Sequence, residues 1–385
     1  MDVRLINNQE QLMDIKEDWK KLQSEGAVKD ITTTWEWMST WWSVFNEGKE
    51  LAVLVVSNGK EVIGIAPFMR KKVRYFRPIP IKNFPIRMVP YLRLEFIASG
   101  DEICSDYLNF IIEDGQEREF LDAIFEFLLN SDHIVWDEIL LFQMDAESPF
   151  IPLLYDLADK YKLNIEEIDR MSCLYINLPN SFEEYLSQLG QNTRYQIRRG
   201  MKKLNEAGNV YFKIAEKEEE IEINKKILIQ LHQSRWTQKG KPGRFSEDKY
   251  TLYHDKIMSL AYEKNWLRLG VLFLDSKPLA CIYNFRFDDK IYSYQAGIEV
   301  SESWDLSYGM LVHANAIAHA ISEASREYDF LAGTSEYKKR LAKGRREIIS
   351  LRISKPSSKE SVYKAMSKMR ETIISARNHF LKRDK

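Results

Sequence analysis

Leu269-Gly-Val-Leu-Phe-Leu274, the turn Asp275-Ser-Lys-Pro278 and Leu279-Ala-Cys-Ile-Tyr-Asn-Phe285 place two apolar, strand-forming runs around a short polar segment, the pattern of a β-hairpin. A matching unit stands far upstream. There Leu51-Ala-Val-Leu-Val-Val56 and Ile63-Gly-Ile-Ala-Pro-Phe68 flank a turn containing Asn58-Gly59, a strong hairpin signal. With the downstream turn one residue shorter, Val53 aligns with Val271, Ile65 with Ile282 and Phe68 with Phe285. Each hairpin follows helical segments and leads into further strand, Ile86 to Ala98 in the first case and Ile291 to Ile298 in the second, and then into a long helix. Together these repeats favour an internal duplication.

Working outward, apolar spacing predicts helices over 11–22, 34–45, 117–129 and 149–160, then over 182–189, 193–206, 222–236, 248–261 and 309–324. Strands are predicted at 138–143, 164–167, 173–177, 328–331 and 348–353. The fold expected is α/β (α+β): two tandem lobes, residues 1–170 and 171–355, each a mixed, mostly antiparallel sheet flanked by helices. A basic amphipathic helix with Val362, Met366, Met369 and Ile373 on one face is expected within the tail, 356–385.

At 385 residues, with 44% hydrophobic residues, the chain has material for two cores and is too apolar to be disordered. The net charge of −1 argues against a surface that tracks DNA, so any basic site must be local. Cys104, Cys173 and Cys281 are far apart and lack metal-ligand spacing, which suits a reducing compartment. Without a signal-peptide core or a membrane-length apolar run, the expectation is a cytoplasmic protein with no membrane span. No Ser-His-Asp order, zinc spacing, Walker loop or dinucleotide fingerprint is present, so no metal is expected.

Four stretches carry candidate chemistry. On the helix Thr193–Glu206, Arg194, Arg198 and Arg199 spread with Lys202 and Lys203 over the side opposite Ile197, Met201 and Leu204; this is either a solvated face or one that holds phosphate. Ser307-Tyr308-Gly309 opens the helix after the second hairpin, with Ser307 as N-cap and Gly309 permitting close approach to the backbone; helix N-termini favour anions. In Tyr328-Asp-Phe-Leu331, Asp329 is a carboxylate on an apolar strand and needs a partner. Lys338, Arg345 or Arg346 would supply a structural ion pair. Alternatively, Asp329 positions or deprotonates an amine while Tyr337 or Lys338 stabilises developing charge. His232, Arg235 and Trp236 stand before a basic loop, Lys239-Gly-Lys-Pro-Gly243, and are candidate substrate contacts.

Thr34-Trp35 through Trp41-Trp42, Asn192-Thr-Arg-Tyr-Gln-Ile-Arg-Arg199, Leu231-His-Gln-Ser-Arg-Trp236 and Tyr328-Asp-Phe-Leu-Ala-Gly333 with Tyr337-Lys338 resemble the CelD-like GNAT acyltransferases. These are related to the Fem-type aminoacyltransferases of peptidoglycan cross-bridges. The resemblance, over about residues 30–345, implies acyl transfer from acyl-CoA or acetyl-CoA as co-substrate to an amine acceptor, a small molecule or an envelope precursor. Asp329, Tyr337 and Lys338 would then be catalytic, and Ser307, Tyr308, Gly309, Arg194, Arg198 and Arg199 would bind the donor. His232, Arg235 and Trp236 would bind substrate. The common Gln/Arg-x-x-Gly-x-Gly/Ala phosphate loop is absent, which keeps two alternatives open: an aminoacyl-tRNA-dependent ligase and an inactive binding protein.

Overall fold

A computed structural model describes residues 1–26, 28–74, 90–300 and 307–365. The first lobe begins with β1 (Asp2–Ile6), α1 (Gln9–Asp14), α2 (Lys16–Glu25), a 3-10 turn at Ile31–Thr33 and α3 (Trp35–Phe45). It continues with β2 (Lys49–Leu51), β3 (Val53–Asn58), β4 (Glu61–Ala66), β5 (Phe68–Val73), β6 (Tyr91–Phe96), β7 (Ile111–Ile112), α4 (Glu117–Asn130), β8 (Glu138–Asp145), α5 (Phe150–Lys160) and β9 (Asn164–Asn177). Next come α6 (Phe182–Gln188), α7 (Gln191–Ala207), β10 (Val210–Ile214), α8 (Glu218–Gln238), a 3-10 turn at Arg244–Ser246, and α9 (Asp248–Glu263). The chain then forms β11 (Leu267–Leu274), β12 (Lys277–Phe287), β13 (Lys290–Ile298), α10 (Tyr308–Ser322), β14 (Glu327–Ala332), α11 (Glu336–Leu341) and β15 (Gly344–Ser354).

From β1 and from β10 a similar succession unfolds: strand, helix, 3-10 turn, helix, hairpin, strand, helix, strand, helix, strand; the first lobe differs in its divided opening helix, α1 and α2, in the arms of its hairpin, each made of two successive strands, and in the additional short strand β7. Among the described residues the strands make a four-stranded sheet, β1-β3-β4-β7, and an eleven-stranded one, β10-β11-β12-β13-β14-β9-β15-β8-β6-β5-β2. The large sheet has a palindromic middle. In each lobe a parallel pair, β6 with β8 or β13 with β14, lies beside a strand donated by the other lobe. Thus β9 pairs with β14, β15 pairs with β8, and β9 and β15 pair with each other at the centre.

The two hairpins occupy corresponding places and do not pair with each other. In the first, β2–β3 and β4–β5 are two continuous arms, Leu51 opposite Met69 and Leu54 opposite Ala66, so this hairpin bridges both sheets. Gly59 takes a φ of +63° in its turn, as an Asn-Gly corner requires. Indole-rich α3 is capped by Thr34, whose Oγ1 accepts from Trp37 N at 3.1 Å, and it buries Trp35, Trp37, Trp41 and Trp42 in the core.

The helix expected over 11–22 is divided at buried Ile15. The strands expected at 164–167 and 173–177 are one strand, β9, whose exposed middle pairs with β15 through Asp169 and Arg170 and bulges at Ile168, without an alternating apolar pattern. Arg170 and Met171 lie within it. The start of the 86–98 strand, and the tail helix beyond residue 365 with Met366, Met369 and Ile373, fall outside the described residues. Residues 358–365 are helical and dock through Glu360, whose carboxylate holds buried Arg352 at 2.6 Å, while Val362 is exposed.

Candidate active site

β13 and β14 run together only through Lys290–Glu327, Ile291–Tyr328 and Tyr292–Asp329, and then separate. A bulge in β14 accompanies the separation. Between Asp329 and Ala332 the register with β9 shifts, and Leu331 adopts a φ of +59°, unusual for a branched side chain. β8 has a corresponding bulge against β15, where Gln143 takes a φ of +51°.

In the first lobe the equivalent gap is filled by the lobe's own chain: Tyr107 N donates to Gln143 O at 3.0 Å. In the second lobe the gap is open. It forms a cavity of about 600 Å³ lined by Ser293–Ala296 of β13, Phe330–Ala332 of β14, α8, His313 of α10 and α11, and by Gly100, Asp101, Ile103, Cys104, Asp106, Phe142 and Gln143 of the first lobe.

At the bulge two opposite charges converge. The Lys338 ammonium, on α11, donates to Leu331 O at 3.2 Å and Ala332 O at 2.8 Å. Asp106 Oδ2 accepts from Ala332 N at 2.6 Å, and the Gln143 amide, oriented to satisfy its neighbours, donates to Asp106 Oδ1 at 3.2 Å. Burial pushes the Asp106 carboxyl up to about 6, and burial lowers Lys338 from its ordinary value. An ammonium has three N–H donors and two of these are engaged, so one remains for a bound group.

Hydrogen bonds brace the α8 wall. Trp236 Nε1 donates to His232 Nε2 at 3.0 Å, Gln295 Nε2 lies 3.1 Å from the same nitrogen, and His232 Nδ1 lies 3.2 Å from Gln233 Oε1. This pattern assigns a neutral Nδ1–H tautomer with its acceptor nitrogen occupied, and burial lowers the pKa of the ring. His232 is therefore a brace for Trp236 and Gln295. Tyr337 stacks on His313 with ring centroids 4.9 Å apart, and His313 Nδ1 contacts Tyr328 Oη at 3.1 Å.

Of the residues picked from sequence, Tyr337, Lys338, His232, Arg235 and Trp236 share this cavity. Asp329 does not line it. Of the partners expected for Asp329, Lys338 and Arg345 do not pair with it among the described residues and Arg346 does at longer range, while the nearest cation is Lys290, 3.2 Å from Oδ2, because β13 and β14 are adjacent there; Tyr107 Oη and Leu331 N each donate to the carboxylate at 2.7 Å. Arg346 NH1 is 3.8 Å away.

Arg194 donates to Ser187 O at 3.2 Å and Arg198 pairs with Glu183 at 2.5 Å; neither these nor Arg199 lines the cavity. Ser307 caps α10, its Oγ accepting from Met310 N at 3.4 Å, and Tyr308 is core. The close approach at Gly309 is made by Ile298, which a Cβ would meet at 2.8 Å. Asp106, Gln143 and Gln295 were not anticipated: Asp106 belongs to the other lobe, and no local spacing ties it to Lys338.

Among the described residues no group of three or more His, Cys, Asp or Glu is placed to hold a metal, and no helix is long and apolar enough to cross a membrane. Residues 191–339 match the family described as acetyltransferase (GNAT) domain. No curated protein matches the chain in sequence. Among solved structures, FemX is similar at 13% identity and a TM-score of 0.63, covering 95% of this chain and 99% of FemX. A conserved protein of unknown function from Bacteroides thetaiotaomicron is similar at 10% identity and a TM-score of 0.51, covering 92% and 100%. The C-terminal domain of an Agrobacterium fabrum protein designated a lysylphosphatidylglycerol synthetase is similar at 12%, with a TM-score of 0.50, covering 94% and 96%. These likenesses concern the fold: the chain shares the two-lobed architecture of FemX, and its residues 191–339 match the acetyltransferase (GNAT) domain.

Proposed function

We propose that the inter-lobe cavity transfers an acyl group from the thioester of acyl-CoA or acetyl-CoA to an amine. The observation that carries this reading is the meeting of Asp106 and Lys338 at the β14 bulge. A carboxyl with a pKa of about 6 is largely ionised at neutral pH yet close enough to neutrality to accept a proton in a transition state. The amine nitrogen attacks the thioester carbonyl carbon, the N–C bond forms and the C–S bond breaks, and the nitrogen's proton passes to Asp106. The sulfur leaves as thiolate and is protonated from solvent. The free N–H of Lys338 stabilises the oxyanion, and Tyr337 and Trp236 position the reactants. The splay of β13 from β14 gives a slot in which donor and acceptor can meet, with the start of α10 and the basic face of α7 offered to the donor's phosphates.

A second reading, transfer from aminoacyl-tRNA, draws support from Lys239 and Lys241, whose ammonium groups lie 5.6 and 5.9 Å from the ring centroid of Trp236 and would favour a polyanionic carrier. Three free cysteines fit a cytoplasmic setting, and an acceptor from envelope, polysaccharide or small-molecule synthesis fits an amine-directed reaction. Incubating the protein with an amine library and either acyl-CoAs or aminoacyl-tRNA, with products read by mass, tests both. Acylation from CoA that falls at least about a hundredfold in Lys338→Met is expected. Product from aminoacyl-tRNA alone would overturn the CoA reading.

A further inference from the structure

Arg235 differs from the other cationic groups of the cavity. Arg244 is tied to Glu102 O at 2.8 Å and to Glu247 at 3.2 Å, and also donates to Asp101 O. Lys338 is held by two carbonyls of β14. Arg235 is half-buried, lines the cavity, and its guanidinium has no hydrogen bond or ion pair among the described residues. It lies on α8 one turn beyond His232, whose ring is braced by Trp236, Gln295 and Gln233, and its charge acts on both His232 and Tyr337. The cavity thus presents a half-buried guanidinium that has no ion pair among the described residues, on a wall braced by hydrogen bonds.

Such a group attracts a planar or tetrahedral anion and repels a cation. A simple amine enters as an ammonium and shares the cavity with the cations Arg235 and Lys338 as well as with Asp106 and with Asp101, whose carboxylate has no ion pair among the described residues. An amine that also carries a negative group resolves the conflict, its anion on Arg235 and its nitrogen toward the acidic side. We infer that the acyl acceptor is an amine bearing a carboxylate or phosphate, recognised by Arg235; this rests on the acyl-transfer reading of the same cavity.

The test is calorimetric titration of the full chain, without any donor, with the common amino acids, their amides, glucosamine and glucosamine 6-phosphate. Because no transfer is needed, the result does not depend on the reaction. At least one anion-bearing member should bind tenfold or more tighter than its neutral counterpart, and Arg235→Gln should remove that ratio while Arg235→Lys keeps part of it. Comparing carboxylate with phosphate members identifies the anion. Equal binding of charged and neutral members, no binding by any anion-bearing member, or a preference that survives Arg235→Gln would overturn the inference. If an anion-bearing amine binds through Arg235 yet no thioester is consumed with it, recognition stands and the acyl-transfer reading fails.

Discussion

Asp329 has no exposed surface, and its carboxylate faces Lys290, Tyr107 Oη and the Leu331 amide. Replacing it with Asn removes the closest counter-charge of Lys290 but leaves Asp30 and Glu327, each 3.5 Å away, so about 1–3 kcal/mol of stability should be lost, measured by urea unfolding. In the proposed reaction Asp329 acts through the bulge that seats Lys338 and Asp106, so turnover should also fall in the protein that remains folded. His313 gives a second prediction. Burial lowers its pKa to about 3, below the ordinary histidine value that the unfolded chain shows. The unfolded state therefore takes up a proton first as pH falls, so stability present above about pH 6.5 should decline toward pH 3, and His313→Asn should flatten that decline in thermal melts. That Asp329 needs a partner is legible in the sequence, as a carboxylate on an apolar strand. Which partner is not: Tyr107 lies 222 residues away, and Lys290 reaches it only because two strands run in parallel.

Paired bulges in β8 and β14 are the elements on which the two lobes diverge. One is filled by Tyr107 of its own lobe, while the other is left open to the cavity. Periodicity announces α3, α4, α5, α7 and α10 because each buries one apolar stripe. It does not announce β10, whose residues alternate between half-buried and exposed, or the solvent-facing middle of β9. The basic face of α7 is legible as a face, but its distance from the cavity is a property of the assembled fold. Arg194 and Arg198 make surface contacts, with 57% of the Arg198 side chain exposed. Changing Arg194, Arg198 and Arg199 together to Gln should leave the melting temperature nearly unchanged. If the face holds a donor's phosphates, the substitution should raise the donor's KM in a salt-dependent way with little change in kcat.

At the scale of the molecule, duplication and strand exchange account for a site that neither lobe completes alone. Each lobe's last strand seals the other's sheet, and contacts such as Tyr292 Oη to Asp30 Oδ1 at 2.9 Å and Lys249 to Glu47 at 2.7 Å fasten the halves. A chain cut to residues 171–355 divides β9 and loses both Asp106 and Tyr107, and should show no cooperative unfolding transition. The matching hairpins make the duplication legible, but the exchange of β9 and β15 leaves no mark in local composition, and with it goes any sign that Asp106 faces Lys338. The most direct test of this shared site is the pH dependence of kcat/KM for thiol release, compared between the native chain and Asp106→Asn. The native profile should rise through about pH 6 as the carboxyl ionises, and the variant, still folded, should lose that limb and about a hundredfold or more in rate. A folded Asp106→Asn protein with the native profile and rate would contradict an active site built across the two lobes.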